Sequence, residues 1–96
     1  MRNSVASAAL TVNVVYLARL REAFGSSGEA LPLPVPGDSA TVADILANLA
    51  ARGGAWATEL AAGRAVRVAV NHVMCARETP VHAGDEVALF PPVTGG

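Results

Sequence analysis

Apolar runs lie toward the two ends of the chain, and between them apolar positions form a helical stripe. Leu10 to Leu17 reads Leu-Thr-Val-Asn-Val-Val-Tyr-Leu. It is rich in β-branched residues and partly alternating, which predicts a strand. Ala18 to Phe24 favours a short helix closed by Gly25, and Gly25-Ser26-Ser27-Gly28 forms a turn. From Glu29 to Pro36, the residues Leu31, Leu33 and Val35 alternate with Ala30, Pro32 and Pro34. Proline has no N–H for a ladder, so this segment is at best an edge strand. Pro36-Gly37-Asp38-Ser39 is a second turn. Thr41 is then a suitable helix N-cap, with Asp44 three residues on completing a near capping box. Val42, Ile45, Leu46 and Leu49 share one helical face. This helix should end near Arg52, before Gly53-Gly54. Trp56 to Ala62 suits a further short helical turn, stopped by Gly63.

Val66 to Val70 predicts another strand, Asn71-His72 a turn, and Val73 to Ala76 a short strand. Ala83-Gly84-Asp85 is a turn. Glu86 to Phe90 is nearly all apolar, which predicts a last strand buried on both faces. Pro91 to Gly96 continues neither sheet nor helix. The order is strand, edge strand, helix, then two or three strands, with the first and last strands expected at the centre. One main helix must cover one face of a small mixed sheet. This is an α+β arrangement of the ubiquitin-like β-grasp type. The competing ferredoxin-like sandwich needs a second full helix. Residues 1–9 read as a loose N-terminal extension, 10–90 as the folded domain and 91–96 as an extended tail.

Composition narrows the function. The chain has 96 residues, 52% of them hydrophobic, and a mean hydropathy of +0.40, which excludes general disorder. No run approaches the roughly 20 apolar residues of a membrane span. Seven basic residues oppose eight acidic ones for a net charge of −1, and all seven are Arg. Scattered arginines make no basic stripe, so no nucleic-acid partner is expected. Without Lys there is neither Schiff-base chemistry nor a P-loop. The one cysteine, Cys75, has no internal partner, which points to a reducing cytoplasm. Met1-Arg2-Asn3-Ser4 and Ala6-Ser7-Ala8 lack the apolar stretch of a signal peptide.

Groups for ordinary catalysis are sparse. His72, Cys75 and His82 spell His-x-x-Cys-x6-His, which offers three metal ligands. Two solvated histidines and a half-buried strand cysteine are the plainer reading, so no metal is expected. Cys75 as a nucleophile beside a His is weighed in the same way. Asp85 and Glu86 are adjacent and point to opposite faces, so they do not act as an acid–base pair. Asp85 is better read as a turn residue. Gly53-Gly54 has no strand leading into it and no helix clearly opening on it, so it lacks phosphate-binding context. Gly95-Gly96 is different. It places a carboxylate on a stalk without Cβ atoms, thin enough for a narrow channel, while Pro91 and Pro92 stiffen the base. Such a carboxylate reacts with nucleophiles only after conversion to an adenylate or thioester.

The run Val87-Ala88-Leu89-Phe90-Pro91-Pro92-Val93-Thr94-Gly95-Gly96 closely resembles the C-terminal signature of the small, sulfur-carrying subunits of molybdopterin synthase. Val15-Tyr16-Leu17-Ala18-Arg19-Leu20-Arg21-Glu22, Thr41-Val42-Ala43-Asp44-Ile45-Leu46, Val68-Ala69-Val70-Asn71 and Gly84-Asp85-Glu86-Val87 extend the resemblance over residues 10–96. The departures are the N-terminal extension and the missing Lys.

The resemblance implies a substrate-like subunit. A ubiquitin-activating-type adenylyltransferase would adenylate Gly96 with ATP, and no cofactor would be bound by the chain itself. A persulfide donor would replace AMP with sulfur, leaving a thiocarboxylate. The tail would then enter the large synthase subunit in a heterotetramer and give sulfur to cyclic pyranopterin monophosphate, building the molybdopterin dithiolene. Gly96 would carry the sulfur, Gly95 would give access, and Pro91, Pro92, Val93 and Thr94 would form the inserting arm. Phe90 would be either a core residue or an apolar anchor on the partner. The acids and bases of the reaction would sit on the large subunit. Three alternatives remain: a sulfur carrier for thiazole or cysteine synthesis, an isopeptide-forming protein modifier, and a binding module with an inert tail.

Overall fold

A computed structural model describes residues 9–34, 40–61 and 64–92. The elements follow in the order β1 (Ala9–Tyr16), α1 (Arg19–Phe24), β2 (Gly28–Pro34), β3 (Ala40–Thr41), α2 (Val42–Ala50), α3 (Gly54–Glu59), β4 (Arg67–Val70), β5 (Val73–Met74), β6 (Pro80–Val81) and β7 (Glu86–Phe90). Five strands form one sheet in the order β2-β1-β7-β4-β5. β1 and β7 run parallel, with Val14 beside Val87 and Tyr16 beside Leu89. The other neighbours are antiparallel. This is the mixed sheet of a β-grasp, with the first and last strands inside it and the proline-bearing β2 at an edge.

One face of the sheet meets the helices. Val12, Val14 and Tyr16 from β1 pack with Leu31 and Leu33 from β2, and with Val87 and Leu89 from β7. Ile45 and Leu49 of α2 and Leu20 of α1 close over them, each 0% exposed. Fully burying a side chain of this size stabilises by about 1.5–3 kcal/mol. The stripe read from the sequence is the buried face of α2: Val42, Ile45, Leu46 and Leu49. Thr41 caps that helix. Its hydroxyl accepts from the Asp44 N–H at 3.4 Å, while Asp44 Oδ2 accepts from the Thr41 N–H at 2.8 Å. The next donors are not orphaned either: Val42 N–H reaches the Thr79 carbonyl and Ala43 N–H the Arg77 carbonyl.

Two connections are conformationally demanding. Ala18, between β1 and α1, has φ 54° and ψ −132°, a region that residues with a Cβ rarely occupy. Leu20 N–H donates to the Leu17 carbonyl across it at 3.1 Å. At Gly28 the chain passes so close to β1 that a Cβ would lie 2.6 Å from the Val14 carbonyl oxygen.

Several boundaries differ from the sequence expectations. Glu86 to Phe90 is buried on one face only: Val87 and Leu89 are buried, while Glu86, Ala88 and Phe90 are partly exposed. Ala88 and Phe90 are apolar without being core, so composition alone could not separate the faces. The strand expected over Val73 to Ala76 stops at Met74, and the short helical turn expected from Trp56 to Ala62 is a helix with earlier bounds, Gly54–Glu59. A helix therefore does open on Gly53-Gly54, with both glycines at positive φ. α2 gives way to a turn after Ala50, a little before Arg52. The two-stranded β3–β6 pair, Ala40 opposite Val81 and Thr41 opposite Pro80, went unread, because two residues carry no period. The expected turn at Pro36 to Ser39 and the stop at Gly63 lie outside the described residues.

Candidate functional site: the open sheet face and the tail base

The sheet has a second face that no described helix covers. Pairing fixes which residues share it, because directly opposed residues point the same way. Val15 lies beside Ala88, Ala88 opposite Ala69, and Ala69 opposite Met74. This row crosses four strands and is apolar throughout. One step toward the tail, Phe90 lies opposite Arg67. Leu17 N–H donates to the Leu89 carbonyl at 3.1 Å, which sets Leu17 beside Phe90. Leu17 is 41% and Met74 56% exposed. Val73, also exposed, pairs with Val70 and so belongs to the helix side of the β5 edge.

The tail leaves from the corner of this face. Phe90, Pro91 and Pro92 are each half-buried. Val93, Thr94, Gly95 and Gly96 lie outside the described residues. Of the candidate site residues, the structure thus places Phe90, at the end of the central strand and on the open face, together with the two prolines behind it. Leu17, Met74 and Ala88 were not singled out from the sequence. Only the strand register brings them together, although the apolar character of β1 and β7 was visible.

At the opposite end of the sheet a polar cluster pins the β4–β5 turn. Asn71 and His72 both have positive φ, 50° and 72°, the geometry of a tight two-residue hairpin. Asn71 Nδ2 donates to Asp85 Oδ1 at 3.1 Å, and its Oδ1 accepts from Glu86 N–H at 3.0 Å. Asp85 also accepts from His82 N–H at 2.8 Å. These hydrogen bonds, led by that from His82, hold its carboxyl below the ordinary Asp value. Asp85 is thus a turn residue. His72 faces Glu86 at 3.7 Å and His82 faces Asp85 at 3.8 Å. Cys75 is partly buried, with Sγ 3.7 Å from the Val68 carbonyl. Among the described residues no three His, Cys, Asp or Glu side chains are grouped to hold a metal. No described helix is long and apolar enough to cross a membrane.

Behind the open face sits an aromatic and ionic node. Phe24 stacks on Trp56 with centroids 3.9 Å apart, and Tyr16 meets both rings edge-on. Arg52 lies 4.5 Å above the Trp56 ring and forks onto Glu29 at 2.9 and 2.8 Å. Burial, then the Glu29 hydrogen bond, pushes the Tyr16 phenol well above its usual value. The Arg52 hydrogen bonds hold Glu29 below the ordinary Glu value.

The ThiS family profile matches residues 14–96. A relative named molybdopterin synthase sulfur carrier subunit, from Haemophilus influenzae, is 38% identical over 85 residues, covering 88% of this chain and 99% of that protein. One of the same name from Escherichia coli is 36% identical with the same coverage. The crystal structure of SAMP1 from Haloferax volcanii superposes with a TM-score of 0.73 at 30% identity, over 90% of this chain and 99% of that one.

Proposed function

The chain belongs to the ThiS family, and from its 36–38% identity to two molybdopterin synthase sulfur carrier subunits we infer that it is the sulfur-carrier subunit of a molybdopterin synthase. The observation that carries the reading is the Phe90-Pro91-Pro92-Val93-Thr94-Gly95-Gly96 run issuing from the central strand beside an uncovered apolar face. The face docks and the run delivers. Gly96 is the reacting residue. An activating enzyme of the adenylyltransferase type uses ATP to convert its carboxylate to an acyl-adenylate, releasing pyrophosphate. The terminal sulfur of a persulfide donor attacks the adenylate and displaces AMP, and a second thiol cleaves the resulting acyl disulfide, leaving the thiocarboxylate and a disulfide on the donor. The thiocarboxylate is a sulfur nucleophile held covalently, so it does not diffuse away.

The large synthase subunit then takes the tail, and sulfur passes to cyclic pyranopterin monophosphate. Gly95 lets the last residues enter a narrow passage, and Pro91 and Pro92 restrict the backbone at its mouth. Phe90, with Leu17 and Met74, anchors the docked face, since interface energy concentrates in a few large apolar side chains. The remaining groups of the reaction belong to the large subunit, and the work takes place in the cytoplasm.

The test is an intact mass of the chain after incubation with ATP, a sulfur donor and the molybdopterin-type activating enzyme. Replacement of one oxygen by sulfur is expected, and it should vanish when Gly96 is deleted while the melting temperature is kept. An unchanged mass, with the enzyme active on a known carrier, overturns the reading. The likeness to SAMP1, a small archaeal modifier protein, favours a second reading, in which the same activated carboxyl acylates lysines of other proteins. Amide-linked conjugates in extract would mark that use. The chain has no Lys of its own to build self-linked chains.

A further inference from the structure

We propose that Arg67 orients docking by pairing with a carboxylate of the large synthase subunit at the mouth of the passage that receives the tail. The inference rests on the sulfur-carrier reading above. Arg67 is exposed and sits directly opposite Phe90, so it flanks the point where the tail departs. Other arginines are committed within the chain: Arg52 to Glu29, and Arg19 and Arg64 to Glu59. Among the described residues Arg67 has no ion-pair partner.

Its neighbours on the open face are apolar: Phe90 across the ladder, Leu17 beyond it, and Ala69 and Met74 toward β5. The acidic residue of the same face, Glu86, stands at the other end of β7. It is four residues from Phe90, about 13 Å at roughly 3.3 Å per residue. Its backbone is tied to Asn71 and its carboxylate faces His72. The docking face is therefore polarised, positive where the tail begins and negative where the β4–β5 turn ends.

An apolar partner surface laid on this face takes water from the guanidinium. The stem of Arg67 covers apolar surface while its head stays at the rim, where a carboxylate meets it with two parallel hydrogen bonds. A partner docked the other way round sets its acidic group against Glu86. Such complementarity acts on orientation and association rate more than on raw affinity. It selects the pose in which the tail faces its passage.

The experiment is the binding of the full chain to the large synthase subunit of the same organism, measured as association rate and Kd at low and high salt. Arg67→Glu is compared with Arg77→Glu, an equal change of charge near the start of α2, where the Arg77 carbonyl receives Ala43 N–H. Arg67→Glu is expected to slow association by about tenfold and to flatten its salt dependence, while Arg77→Glu stays within about twofold of wild type. Arg67→Met, which keeps the stem, supplies the answer if the Glu variant melts early; it should lose salt dependence and keep the wild-type melting temperature. Equal behaviour of the Arg67 and Arg77 variants, with wild type binding, overturns the Arg67 assignment alone. Failure of wild type to bind the large subunit overturns the sulfur-carrier reading together with it.

Discussion

The buried Tyr16 hydroxyl donates a 2.6 Å hydrogen bond to Glu29 Oε2, holding the last residue of β1 to the second residue of β2. Glu29 is then gripped by Arg52, just beyond α2, and Arg52 covers Trp56 of α3. One carboxylate thus joins the sheet edge to the helical layer. Tyr16→Phe is expected to destabilise by about 1–2 kcal/mol, because it removes the hydrogen bond and keeps the ring. Denaturant unfolding measures the loss.

The same carboxylate makes the node acid-sensitive. Glu29 is held below its ordinary value of 4.5, chiefly by the Arg52 hydrogen bonds. Its stabilisation is present above that value and is lost as pH falls through the lower folded-state value. Melting temperatures measured between pH 7 and pH 3 should fall less steeply in Glu29→Gln than in wild type. The neutral variant should also be the less stable of the two at pH 7.

Ala18 bears a backbone conformation that suits glycine. Ala18→Gly is expected to stabilise by about 1 kcal/mol, the strain relieved being only partly offset by the greater freedom of the unfolded chain. In a domain of this size that is a rise of about 4–8 °C in Tm, readable by calorimetry.

Gly28 presents the opposite case. Its Cβ position meets the Val14 carbonyl oxygen at 2.6 Å, and a backbone oxygen in a ladder does not step aside cheaply. Gly28→Ala should cost about 2 kcal/mol or more. Gly25→Ala, which has open space around it but a φ of 66°, should cost about 1 kcal/mol. Parallel urea titrations rank the two.

The proposed docking face can be separated from the core by substitution. Met74→Glu is expected to leave stability within about 0.5 kcal/mol of wild type, as exposed changes do. It should weaken binding to the large subunit by at least tenfold, a loss of about 1.4 kcal/mol. Isothermal calorimetry and thermal melts on the same preparation distinguish this from unfolding.

Much of the scaffold was legible in the residues. The spacing of Val42, Ile45, Leu46 and Leu49 gave α2 its buried stripe, Thr41 and Asp44 announced its start, and the prolines of β2 assigned it to an edge. The Tyr16–Glu29–Arg52 node was not legible, because its partners are separated by 13 and 23 residues and no local pattern links them. The open face was half-legible. Phe90 stood out beside the Pro-Pro run, but Ala88 and Val15 look like core residues in a string of letters. Only the register of β7 between β1 and β4 turns them outward.

The position of β7 also has a mechanical consequence. On the sulfur-carrier reading proposed above, the tail would be withdrawn from the partner's passage after each turnover, and withdrawal would pull along the strand that bears it. β7 is hydrogen-bonded on both sides, to β1 and to β4, and those bonds run across the pull. The load is shared by two ladders in shear, so they do not open one bond at a time. An edge strand in this place would bear the same shear on one ladder; the middle strand divides it between two, so the sheet would stay whole as the tail is withdrawn.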